Sequence, residues 1–172
     1  MAEALATIRR ADPCAMIAIR ADLARAGDSL AEAAGLAIPD TTRIVTDGSR
    51  SLGWMSPDEL LLIAPEAERA DALQACEQAL SGEHGLVLDV SDMRVMFAID
   101  GPRADQVIRK LCPVDLAGMP EDGLRRTRAA QVAVGIWRQD GGWRLICFRS
   151  VADYVETILR NAAIPGAYLE PR

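Results

Sequence analysis

Residues Gly53 to Ile63 read Gly-Trp-Met-Ser-Pro-Asp-Glu-Leu-Leu-Leu-Ile, and this segment constrains the fold more than any other. A strand-like beginning at Leu52-Gly53-Trp54 runs into Ser56-Pro57-Asp58. Proline presets φ for a turn, and aspartate bonds its own backbone there. The chain then continues as Leu60 to Ala64, apolar at every position, so the strand it predicts has no wet face and is covered on both sides. Ile44-Val45 reads as a shorter strand before it, separated from Leu52 by the Thr46-Asp47-Gly48-Ser49 turn.

The rest of the chain mixes two periods. Cys14 to Ile19, Leu86 to Val90 and Met93 to Ile99 read as strands, with Met93, Val95, Phe97 and Ile99 on one face of the last. Residues 131–148 read as a hairpin whose Asp140-Gly141 suits a type I′ turn. That register sets Ile136 against Leu145 and Val134 against Cys147, with Trp137 opposite Arg144 on the other face as a candidate cation–π pair. Helical spacing appears four times. Asp28 or Ser29 would cap a short helix through Ala34, ended by Gly35. Pro65 opens a helix over 66–80, with Ala70, Leu73, Cys76 or Glu77, and Leu80 inward and Gly82 as its stop. Pro102 starts a helix over 102–112, Asp100 complements its dipole, and Pro113 ends it. Ser150-x-x-Asp153 reads as a capping box for 151–162, whose stripe is Val151, Tyr154, Val155, Ile158, Leu159 and Ala162. The class is α+β, a largely antiparallel sheet with packed helices.

Length favours a single domain over residues 1–172, able to bury about 70% of its unfolded surface, with residues 1–12 expected to be flexible. Half of the residues are apolar, yet no run approaches the ~20 needed to span a membrane. Met1 to Ala11 lacks the order of a signal peptide, so a cytoplasmic location is expected. Four cysteines (Cys14, Cys76, Cys112, Cys147) are too far apart for a C-x-x-C site and read as buried thiols.

The net charge of −6 argues against nucleic acid as a partner. The charge is uneven. Arg125, Arg126, Arg128, Arg138, Arg144 and Arg149 face one acid, Asp140, in a segment of an otherwise acidic chain. That segment is either a solvated, charge-protected sheet edge or a docking face for an acidic partner or carboxylate-rich ligand. His84, the only histidine, falls in a polar turn and has no second histidine for a metal site. Gly141-Gly142 lacks the remaining glycines of a dinucleotide loop and precedes a strand; no P-loop or serine-nucleophile motif occurs. Trp54, Trp137 and Trp143 read as core or interface anchors, with flavin or folate stacking as the alternative.

Three pieces taken in order carry a family resemblance. They are Trp54 to Ile63; Ile99-Asp100-Gly101-Pro102-Arg103-Ala104-Asp105 through Leu111-Cys112-Pro113-Val114-Asp115-Leu116; and the hairpin leading to Cys147-Phe148-Arg149-Ser150, Tyr154-Val155 and Leu159. Over about Ile44 to Leu159 the chain resembles the gamma subunit of heterotetrameric sarcosine oxidase, itself similar to a shortened folate-binding domain of the glycine cleavage aminomethyltransferase. The resemblance implies that fold and partnership with alpha, beta and delta subunits. The implied complex oxidises sarcosine to glycine, passes the methyl carbon to tetrahydrofolate or releases it as formaldehyde, and reduces oxygen to peroxide. It implies FAD, covalently attached FMN, NAD and tetrahydrofolate held by the larger subunits and zinc by the smallest. For this chain it implies no catalytic, cofactor-binding or metal residues. Asp115 matches the place of a folate-contacting aspartate in the aminomethyltransferases; its other reading is a residue bonding its own loop after Pro113. A stand-alone folate-binding or aminomethyltransferase-like protein is the alternative, with Asp115 and some of the arginines lining a pocket. A gamma-like subunit of a related secondary-amine dehydrogenase is a third reading.

Overall fold

The computed structural model describes residues 4–169. In chain order its elements are β1 (Thr7–Arg10), β2 (Cys14–Ala21), α1 (Leu23–Ala34), β3 (Ile44–Asp47), β4 (Arg50–Ser56), β5 (Glu59–Pro65), α2 (Arg69–Ala79), β6 (Gly85–Asp89) and β7 (Arg94–Asp100). There follow α3 (Ala104–Leu111), β8 (Leu124–Ala129), β9 (Val132–Gln139), β10 (Gly142–Phe148) and α4 (Ala152–Ala162). The contacts divide the chain into an inserted unit, Asp12–Asp92, and a split unit formed by the residues up to Ala11 together with those from Met93 onward. Each contains one five-stranded, wholly antiparallel sheet: β3-β4-β5-β2-β6 in the inserted unit and β1-β7-β10-β9-β8 in the split unit. The α+β class and the antiparallel pairing agree with the sequence.

In the inserted unit, the β4–β5 hairpin forms where Ser56-Pro57-Asp58 predicts it, with the Ser56 hydroxyl donating to Asp58 at 2.7 Å. β5 is buried from Glu59 to Ala64. It pairs with β2 from Cys14↔Pro65 to Arg20↔Glu59. Ile17, Ile19, Leu30, Leu52, Leu60 and Leu62 are the large members of an aliphatic core. α1 begins nearly two turns earlier than expected. Asp22 caps it, accepting from the Ala24 N–H at 3.0 Å, while Asp28 and Ser29 lie on its exposed side. The cap directly follows β2, so the strand-to-helix turn hides it from a pattern search. Gly35 does end the helix, at φ +68. The Pro65 helix starts later than expected, at Arg69, after a 3₁₀ turn over Glu66–Glu68. Cys76 and Leu80 face inward and Leu73 packs against the core as expected, but Ala72 takes the inward place expected of Ala70, which is exposed, as is Glu77.

In the split unit, β1 pairs with β7, Ile8 opposite Ile99. Residues 7–10 of the stretch expected to be flexible are therefore a strand, and the part of that expectation covering residues 1–3 lies outside the described residues. Val95, Phe97 and Ile99 face the core as predicted, but Met93 ends a 3₁₀ turn ahead of β7 and is 49% exposed. α3 starts at Ala104, with Asp105 as the acid of its first turn; Asp100 ends β7 and is bound by arginines. The Asp140-Gly141 turn has φ +53 and +73, the type I′ pair, and sets Ile136 against Leu145 and Trp137 against Arg144 as expected. α4 starts at Ala152 after a 3₁₀ turn. Ser150 makes no capping bond, because it lies inside that 3₁₀ turn and Val151 occupies the N-cap position; Asp153 pairs with Arg10 instead. Tyr154, expected inward, is 46% exposed. The arginine-rich residues 124–129 form β8, a strand that the charge pattern concealed.

Candidate functional site

The arginine segment supplies the densest polar chemistry of the split unit, and strand alternation separates its members. β10 carries Arg144 into the interior, where its side chain is 8% exposed. Its two amino groups donate to Asp100 at 2.9 Å and Asp140 at 3.0 Å, and Arg9 closes on the other side of Asp100 at 3.6 Å. Opposite Trp143 in the β9–β10 ladder stands Arg138, its guanidinium 4.3 Å from the Trp143 ring centroid. The expected Trp137–Arg144 cation–π pair is thus replaced by Trp143–Arg138. Arg144 is taken by carboxylates, and the Trp137 indole N–H donates to Gln139.

Asp105 ties this arrangement to α3. It accepts from the Trp143 indole N–H at 2.7 Å and from Arg138 at 3.1 Å. Burial pushes the Asp105 carboxyl up, but the indole donor and the Arg138 guanidinium outweigh it and hold the group below the usual carboxylate range. Arg138, Gln139, Asp140, Gly141, Gly142 and Glu121 line a small polar cavity of about 160 Å³. Arg126 and Arg128 stay at the surface on β8, the outermost strand of this sheet, with Arg125 half-buried between them and Leu124. The solvated-edge reading therefore fits Arg126 and Arg128, while Arg144 is an internal brace and half-buried Arg138 ties Trp143 to Asp105.

Asp115 is exposed and accepts from the Ala117 N–H at 3.1 Å, the loop-bonding role. Trp137 and Trp143 are each 1% exposed and pack in the interior; Trp54 is half-buried. Cys76, Cys112 and Cys147 are buried, and burial pushes each thiol up to about 11; Cys14 is half-buried and raised for the same reason. At physiological pH these thiols stay protonated and unreactive. Among the described residues no group of three or more His, Cys, Asp or Glu is placed to hold a metal ion, and no helix is long and apolar enough to cross a membrane.

Within the inserted unit, exposed His84 sits on the wall of an open groove of about 1050 Å³, with Arg20, Asp22, Arg25, Asp58 and Leu86. The cations there are matched: Arg20 to Glu59 at 2.9 Å and Arg25 to Glu83 at 3.0 Å. Beside the groove, Leu86 and Leu88 of β6 are 52% and 45% exposed. Sequence reading missed both. Their signal was an apolar strand with no arginine or lysine to guard it.

Comparison with known proteins adds the family context. Residues 19–165 match the family described as sarcosine oxidase, gamma subunit family. A sarcosine oxidase subunit gamma from Corynebacterium sp. (strain P-1) is 40% identical over 116 residues, which is 64% of this chain and 55% of that protein. The chain thus spans little more than half the length of this curated relative. A chain of heterotetrameric sarcosine oxidase from Corynebacterium sp. U-96, in complex with pyrrole 2-carboxylate, has the same fold at a TM-score of 0.87 and 29% identity, covering 97% of this chain and 88% of that one. The glycine cleavage system aminomethyltransferase T from Bartonella henselae shares the fold at a TM-score of 0.67 and 17% identity, over 92% of this chain and 46% of that one.

Proposed function

This chain belongs to the sarcosine oxidase, gamma subunit family, and from that premise we propose that it is a non-catalytic subunit of a sarcosine oxidase-type complex, holding and orienting larger subunits. The observation that carries this reading is the fold shared over 97% of the chain with a chain of heterotetrameric sarcosine oxidase. Its partners are the alpha, beta and delta subunits, working in the cytoplasm. FAD, FMN, NAD and tetrahydrofolate belong to those partners, as does the oxidation of sarcosine to glycine. Within the complex the chain acts as one domain. The local chemistry supports a passive role: the Asp115 carboxylate serves its own loop, and three of the four thiols are buried. Exposed Leu86, Leu88, Phe148 and Tyr154 supply apolar surface for contact.

Co-expression of the larger subunits with and without this chain tests the proposal. Full flavin content and sarcosine turnover are expected only with it; an equally active complex assembled without it removes the scaffold role. Titration of the purified chain with tetrahydrofolate separates the folate-binding reading, for which micromolar binding lost in Asp115→Asn would be the signature. No binding is expected.

A further inference from the structure

The strands that end the two sheets are β1 and β8 in one and β3 and β6 in the other. Three carry charge or polar groups outward: Arg9 and Arg10 on β1, Arg126 and Arg128 on β8, Thr46 and Asp47 on β3. Free edges are normally blunted in this way, because an unpaired row of N–H and C=O groups is a template for another strand. β6 reads Gly-Leu-Val-Leu-Asp. Its one charge, Asp89, is drawn to Arg69 at 2.6 Å, and Leu86 and Leu88 stand exposed on the same face. Gly85 holds this edge close to β2, since a Cβ there would lie 2.8 Å from the Arg20 carbonyl oxygen and from Leu80.

We propose that the β6 edge and the groove beside it receive an extended segment of a partner subunit, which adds a strand to β6, sets apolar side chains two residues apart against Leu86 and Leu88, and continues as polar residues free of acidic groups in the groove. This rests on the subunit role proposed above. Two observations favour a different chain over a second copy of this one. A five-residue ladder spans about 17 Å by 10 Å, on the order of 350 Å² over two copies, well short of the roughly 1,200 Å² of a stable interface. The groove also continues directly from the edge, because Gly85 and Leu86 line both. A segment using edge and groove together gains main-chain bonds from the first and side-chain specificity from the second. The groove lining carries two cations, Arg20 and Arg25, against the carboxylates of Asp22, Asp58 and Glu83, and Arg20 is further matched by Glu59, so the groove disfavours an acidic segment.

Hydrogen exchange on the assembled complex and on the isolated chain tests this. Peptides covering 85–89 are expected to exchange at least 10-fold more slowly in the complex. The double variant Leu86→Lys/Leu88→Lys is expected to weaken assembly at least 10-fold while its circular dichroism stays that of the wild type. A complex that contains the chain but leaves 85–89 unprotected overturns this inference and spares the subunit role. A complex that assembles fully without the chain overturns both. Protection of 85–89 in the isolated chain that rises with its concentration would make a second copy the occupant and also overturn it.

Discussion

The split and inserted units use one plan, five antiparallel strands with two helices, and fill it with different chemistry. The split unit buries Phe97 and Trp143 and threads charge between its strands, with Arg144 held by Asp100 and Asp140 and Arg138 held by Asp105. The inserted unit has an aliphatic core without a large aromatic. Two of its arginines brace helix ends: Arg50, from β4, bonds Glu68 at 2.7 Å and the last carbonyl of α1 at 3.0 Å, and Arg69, at the start of α2, reaches Glu66, Asp89 and Asp92. The difference teaches that a run of like charges along a sequence is a poor guide to surface charge when it falls on strands. Period-two alternation and register decide which members are inside.

Four substitutions would break or sharpen this contrast. Phe97→Ala removes the fully buried ring of the split core and is expected to cost about 3–5 kcal/mol in urea unfolding; a loss near 1 kcal/mol would mean that the aromatic does not anchor that core. Arg144→Ala takes the guanidinium from Asp140 and leaves Asp100 with only the longer contact to Arg9. Both carboxylates keep some contact with water, so the expected loss is roughly 2–3 kcal/mol, below that of a fully buried pair.

Asp105→Asn tests the charge bridging Trp143 and Arg138, with an expected cost of about 1 kcal/mol at pH 7. The Asp105 carboxyl is depressed in the folded chain, so its stabilisation is present above the unfolded value of about 3.9 and is lost as pH falls through the lower folded value. The gap between wild type and variant should therefore close below about pH 4, and a gap unchanged at pH 2 would deny the charge its role. Arg128→Ala, on the exposed edge of the same sheet, should change stability by less than about 0.5 kcal/mol. A loss like that of Arg144→Ala would erase the distinction between edge and interior.

Local chemistry was enough to determine several elements. Ser56-Pro57-Asp58 and Asp140-Gly141 place their hairpins, Gly35 stops α1, and the alternation from Val95 to Ile99 names the buried face of β7, because each of these depends on the φ preferences or side-chain period of neighbouring residues. The same reading failed where a distant partner competes. Asp153 leaves the helix-capping role for Arg10, Asp100 leaves the α3 dipole for Arg144, and residues 7–10 become ordered because β7, some ninety positions away, offers a ladder. For the candidate site, the sequence located the arginine-rich segment and the alternative roles of Asp115. It was tertiary structure that sent Arg144 inward, set Arg138 against Trp143 and left Leu86 and Leu88 in water. Strand order and the far neighbours that satisfy or abandon a side chain are set by long-range pairing, and no local pattern records them.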